Sequence, residues 1–184
     1  MTIDAVPGSP TANAYCTVSQ ATDLLQEHLD IEGWYTQSPE EGQTLPARRE
    51  AALISATRLI DSQVGWYGYP ATTTQALAWP QAGQVGRYGR PLDATLVPRA
   101  VQQATAYYAL ALMEATAANG QSSNGELLVK SKKVGDVQIT YQDVPSVAQA
   151  RSAGGGETMP REVRDLLRGY GMVPGLGMIP LLRT

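Results

Sequence analysis

The sequence predicts a mainly α fold: a small helical bundle with one β-hairpin and extended N- and C-terminal arms. Three observations predict it. Apolar residues recur at helical spacing after capped starts at Thr17 and Thr44, and again after Pro98. One stretch, 129 to 141, changes to a period of two. Glycine and proline, 18 and 12 of 184 residues, gather in the ends and linkers. The expected division is an extended arm over 1–16, a helical core over 17–119 and a linker with the hairpin over 120–145. A flexible linker over 146–156, a short helix over 157–171 and an apolar docking tail over 172–184 follow.

Pro7, Gly8, Ser9 and Pro10 make the first residues an arm. Thr17-Val18-Ser19-Gln20 has the form of a capping box. Ala21, Leu24, Leu25, His28 and Leu29 then recur at helical spacing, so a first helix is expected over Thr17–Leu29, with His28 in its last turn. Gly33, Pro39 and Gly42 make 31–43 a loop, pinned by Trp34-Tyr35. Thr44 caps a second helix that admits Pro46 in its first turn. Leu53, Ala56, Ile60 and Val64 are its apolar stripe, and Arg58 and Asp61 stand three apart, within pairing reach on the surface.

Gly65 ends this helix, and a long loop with two aromatic anchors, Trp66 and Trp79, runs to Gly89. The longest helix is expected over Pro98–Ala118. It is apolar nearly all round, which places it at the centre of the domain or of an oligomer. The expected core is Leu25, Leu53, Ala56, Ile60, Val101, Ala104, Tyr108 and Leu112.

Val137, Ile139 and Tyr141 alternate with polar residues, and Gly135-Asp136 fits a two-residue turn. Two strands alone are marginal in water, so the hairpin needs a neighbour, either its own core or another subunit, and these three residues are expected at a subunit interface. Thr158 and Pro160 open a short late helix with Val163, Leu166, Leu167 and Tyr170 as its stripe. The tail from Met172 carries Val173, Leu176, Met178, Ile179, Leu181 and Leu182 between glycines and prolines. An apolar tail that cannot be a helix is expected to dock.

Composition excludes several classes of function. A net charge of −3 opposes a chain that tracks phosphates along its whole surface. Cys16 is the only cysteine and His28 the only histidine, so neither a disulfide nor a cysteine- or histidine-rich metal site can form within the chain. No nucleophile has a positioned base, and Gly83-Gln84-Val85-Gly86 lacks the helix a phosphate loop needs. The expectation is therefore no catalytic residue, no metal, no cofactor and no turnover. The N-terminus shows neither a basic nor an apolar leader region, and no run of about 18 apolar residues occurs. A soluble protein made in a reducing cytoplasm is expected. All the lysines, Lys130, Lys132 and Lys133, fall in the first hairpin strand. They either meet DNA phosphate or an acidic partner, or they guard an exposed strand edge.

Several motifs together resemble the head–tail connector (adaptor) proteins of tailed double-stranded DNA phages. They are the capped helix Thr17–Leu29, Arg58-Leu59-Ile60-Asp61, the turn Gly65–Tyr69, and Gln75-Ala76-Leu77-Ala78-Trp79-Pro80. Pro98-Arg99 opening a helix and the hairpin Val134–Tyr141 complete the set. Gln81 stands where that family often carries Arg. The resemblance implies a structural virion protein at the head–tail interface, assembled in the host cytoplasm. It implies a homo-oligomeric ring, usually of twelve copies, beneath the portal and offering a face to a neck or tail protein; the apolar tail would then dock on the portal or on an adjacent subunit. DNA would pass through the channel without tight binding. Relatives of this pattern are also described as resembling a primosomal single-strand DNA-binding protein, so the alternative is a single-stranded-DNA-binding replication accessory protein. A cytoplasmic scaffold bundle with no phage role is the third reading.

Overall fold

The computed structural model describes residues 2–29, 31–36, 44–86, 89–122, 131–134, 137–140 and 159–173. The described part is mainly helical, as expected, with one hairpin. In chain order it contains α1 (Val18–Leu25), α2 (Glu32–Thr36), α3 (Leu45–Gln63), β1 (Gly65–Trp66), β2 (Tyr69–Pro70) and β3 (Gln81–Ala82). Then come α4 (Arg99–Ser122), β4 (Ser131–Val134), β5 (Val137–Thr140), α5 (Arg161–Leu167) and β6 (Gly171–Met172).

The capping box forms: Gln20 N–H donates to Thr17 Oγ1 at 3.3 Å, and Thr17 N–H donates to Gln20 Oε1 at 2.9 Å. Such a cap is worth about 1 kcal/mol. α1 nevertheless stops at Leu25, with Gln26 as its C-cap, so His28 lies beyond it. There the His28 ring meets Tyr107 edge-on, with centroids 4.6 Å apart, and Nε2 sits 3.1 Å from Glu162 Oε2. At the start of α3, Thr44 Oγ1 accepts from the Ala47 amide at 3.4 Å, with proline in the first turn. α5 begins after Pro160 with no side-chain cap; Thr158 lies outside the described residues.

α4 is the hub, packing against α1, α2, α3 and α5. This arrangement accounts for its unusual sequence. Val101, Ala104, Ala106, Ala109, Leu110 and Met113 are all buried by helices of the same chain. An oligomer is not needed to cover them. Of the expected core, Leu112 alone is only partly buried. Tyr15, Cys16 and Met159 also belong to the core, and Trp34 and the stripe residues Val163 and Leu167 are buried with them.

Two further expectations need correction. The segment from Ile31, read as a loop, contains α2, whose Trp34 is fully buried and donates its indole N–H to Thr22 Oγ1 at 3.0 Å. Met172, read as the start of a tail, lies in a strand. β6 pairs antiparallel with β1, Trp66 opposite Gly171, and β2 pairs with β3, Tyr69 opposite Ala82. The hairpin is present as β4–β5, with Lys132 opposite Ile139 and Val134 opposite Val137.

Among the described residues the N-terminal arm has no helix or strand, but it is stitched around Asp4. Its carboxylate accepts from the Val6 amide at 3.0 Å, from Ser9 Oγ at 3.2 Å and from Thr11 Oγ1 at 2.7 Å. The arm leads into Tyr15 and Cys16, so it is fastened to the core at its far end.

Candidate functional site

The segment Gly65–Pro70 belongs to two ladders at once, its first half to β6 and its second half to β3. Gly68, between them, has no room for a side chain. A Cβ there would lie 2.6 Å from Gln84 Cγ and 2.7 Å from the Ala82 carbonyl oxygen. Beneath the segment, Trp66 and Trp79 meet edge-on with centroids 5.7 Å apart, and Trp79 meets Tyr170 the same way at 5.8 Å. Gln81 and Gln84 are both buried. Gln84 Nε2 donates to Gln81 Oε1 at 2.7 Å and to the Tyr170 carbonyl at 2.9 Å. Gln81 therefore has a structural task inside the chain.

On this rigid base two aromatic side chains face outward. Tyr67 is 63% exposed and Tyr69 64% exposed. The Tyr67 amide donates to the Tyr170 carbonyl at 3.1 Å, which fixes its backbone. The Tyr69 ring lies against Gly83, where a Cβ would come within 2.9 Å of Cε1. Gly83 also has φ +74°, a left-handed conformation that favours glycine. One ring edge is thus supported while most of the side chain meets solvent. A third exposed aromatic, Tyr35, stands at the end of α2. The Arg49 guanidinium lies 5.4 Å from its centroid and 5.3 Å from that of Trp34. Arg49 Nε also donates to the Trp34 carbonyl at 2.9 Å.

Beside this layer is an open cleft of about 480 Å³, lined by Ala12 and Asn13 of the arm, Arg58, Asp61 and Ser62 of α3, and Ala76 and Leu77. Asp61 does not pair with Arg58. It turns inward, where Tyr15 Oη donates to Oδ1 and the Ala78 amide donates to Oδ2 at 3.1 Å. Burial pushes the Asp61 carboxyl above its ordinary 3.8, partly offset by the Tyr15 hydroxyl and the Ala78 N–H. The Trp66 indole N–H also favours the charged form, though it makes no hydrogen bond of ordinary geometry. Burial and the adjacent carboxylate raise the Tyr15 phenol. Arg58 is exposed at the edge of the cleft.

The other expected site residues are scattered. Lys132 and Lys133 lie in β4, and Val137 and Ile139 in β5. Lys130, Tyr141, Leu176, Met178, Ile179, Leu181 and Leu182 lie outside the described residues, while Val173 packs partly buried on the core. Among the described residues no group of three or more His, Cys, Asp or Glu could hold a metal, and no helix is long and apolar enough to cross a membrane. The exposed pair Tyr67 and Tyr69 was missed as a site. The glycine–aromatic turn was visible in the sequence, but which of its rings would be buried depended on residues about a hundred positions away.

Over residues 1–184 the chain matches the model of a family described as "Putative DnaT-like ssDNA binding protein". The chain belongs to that family. No curated protein and no solved structure matches it. This overturns the head–tail connector reading. With it go the twelve-copy ring, the portal and neck partners, loose passage of DNA through a channel, and a place in a virion. The physical reason lies in the motifs that carried the resemblance, which are used within one chain. Asp61 binds Tyr15 and Ala78, Trp79 and Gln81 are core, and the apolar girdle of α4 is covered by its own bundle.

Proposed function

We propose that this chain binds single-stranded DNA as a replication accessory protein, and that it does so by stacking bases more than by gripping phosphates. The family match over the full 1–184 carries this reading. Two features of the described surface support it. Tyr67 and Tyr69 are exposed on a segment that two ladders and a tryptophan pair hold rigid. Stacking of a base on such a ring contributes about 1–3 kcal/mol and tolerates any sequence. Rigidity matters because a ring already in place loses little entropy on binding.

The charge sets the other half of the proposal. At a net charge of −3 the chain has few cations to spare. Phosphate contact is assigned to the lysine group Lys130, Lys132 and Lys133. Each phosphate neutralised on a single strand adds about −0.7 to the slope of log affinity against log salt. A shallow slope is expected, of about −2 if those three lysines supply it. Binding rather than turnover is the proposed activity; the lone histidine, His28, is engaged by Glu162 and Tyr107.

Fluorescence anisotropy of a labelled oligothymidine against the full chain tests this. Tyr67→Ala and Tyr69→Ala should each weaken binding by about fivefold or more, as expected for the loss of one stacking platform. Replacing all three lysines by Gln should flatten the salt slope by about 2. Double-variant binding equal to that of the parent chain, or no binding of any single strand at low salt, would overturn the proposal.

A further inference from the structure

The open cleft beside α3 combines apolar lining with a fixed carboxylate and a nearby guanidinium. Its volume of about 480 Å³ falls in the range of about 300–1,000 Å³ occupied by small-ligand sites. Its walls at Ala12, Ala76 and Leu77 are apolar, and Asp61, an acceptor fixed on two sides, lines it from α3. An ionised carboxylate offers about four lone-pair sites. Tyr15 and the Ala78 amide each take one, on different oxygens, which leaves acceptor capacity for a ligand. Arg58, three residues earlier on the same helix, brings an exposed guanidinium to the edge.

The two charges define the ligand. The acceptor calls for an N–H-rich edge, and the guanidinium suits a phosphate, to which it can donate two parallel hydrogen bonds. Ala12, Ala76 and Leu77 offer apolar surface for a base to lie against. Of the four bases, guanine alone presents two adjacent N–H donors, N1–H and the N2 amino group, to one carboxylate. Thymine offers a single N–H flanked by two carbonyl oxygens, which a carboxylate repels.

We infer that this cleft is a guanine-nucleotide subsite, with Asp61 reading the N1/N2 edge and Arg58 holding the phosphate of an unstacked nucleotide. It deepens the single-strand reading, on which it rests, by adding a base-selective position to an otherwise sequence-tolerant stacking surface. Guanine within a strand and free guanine nucleotide share the chemistry, so the test separates them.

Two measurements on the full chain decide it. In the first, a 12-mer of thymidine is compared with the same strand carrying one central dG. The dG strand should bind about tenfold tighter, a typical margin for one well-made bidentate contact. Ala76→Leu, which fills the cleft without touching the bonds of Asp61, should remove that preference and leave thymidine binding unchanged. Arg58→Gln should reduce it. In the second, dGMP is titrated while the Ala78 amide resonance is followed, because that amide donates to Asp61. dGMP should shift it and dTMP should not. Equal binding of both strands together with a silent Ala78 amide overturns the subsite, and does so without harm to the stacking proposal. A shifted Ala78 amide with no strand bound at all supports the guanine site and sinks the strand reading. No binding in either measurement overturns both.

Discussion

Replacing Tyr15 by Phe removes the hydrogen bond to Asp61, together with the weaker approach of the Trp79 and Ala78 amides to the same oxygen. Tyr15 is 1% exposed, so its ring stays buried in either form and the apolar contribution is unchanged. What is lost is the hydroxyl, whose principal bond is to Asp61. A hydrogen bond to a charged group is worth about 1.5–3 kcal/mol, because its loss leaves a desolvated carboxylate short of a donor. The Ala78 amide still donates, which places the expected loss near 2 kcal/mol at neutral pH. Against a typical domain stability of about 5–15 kcal/mol this is large. In urea, with a slope of about 1–3 kcal/mol per molar, the midpoint should fall by about 1 M. The loss should also depend on pH. The folded-state pKa of Asp61 lies above the ordinary 3.8, so its contribution to stability is greatest below 3.8 and is lost as pH rises through the folded value. Removing the Tyr15 hydroxyl raises that folded value further and deepens the cost above it. The deficit of Tyr15→Phe should therefore be fullest at about pH 8 and shrink on acidification toward about pH 4. A deficit below about 0.5 kcal/mol at pH 8, or one that does not change with pH, would refute the reasoning.

Three further outcomes are expected. Gly83→Ala should lower the melting temperature, since a left-handed alanine costs about 1–2 kcal/mol, and should weaken single-strand binding because its Cβ would displace the Tyr69 ring. Calorimetry and anisotropy on the same sample check the two effects together. Burial pushes the Cys16 thiol up to about 12, so a disulfide reagent at neutral pH should react with it only as fast as the chain unfolds. A fast reaction insensitive to denaturant would count against that. The Thr11 hydroxyl and the Val6 amide hold the Asp4 carboxyl below its ordinary 3.8. Its stabilisation of the arm is present above 3.8 and is lost as pH falls through the lower folded value. Hydrogen exchange at Val6 should accelerate in that acid range and should already be fast at neutral pH in Asp4→Ala.

What the sequence revealed was local. Thr17 with Gln20, and Thr44 before Pro46, mark helix starts because every group involved lies within one turn. The surrounded position of α4 followed from its apolar girdle. What failed was long-range. Arg58 and Asp61 have the spacing of a surface pair, but Tyr15, 46 residues away, and the Ala78 amide draw the carboxylate inward. α2 was hidden because five residues containing a glycine carry no readable period. The connector resemblance rested on real residues whose partners proved to be in the same chain. No local pattern distinguishes a tryptophan that anchors a neighbour from one that stacks on its own core. Tyr67 and Tyr69 became exposed only because Trp66 and Trp79 took the inside.

The pairing of β1 with β6 has a consequence for how the molecule is made. Gly65 and Trp66 leave the ribosome more than a hundred residues before Gly171 and Met172, the strand they await. During that interval the bundle's first three helices and α4 can assemble, but the Tyr67 amide has no acceptor, because Tyr170 does not yet exist. The outward tyrosines are therefore set in place only once residues 170–172 have been made. A chain that terminates before residue 170 should keep much of its helical signal and yet fail to present a firm surface to a strand, which circular dichroism and anisotropy on nested truncations would show.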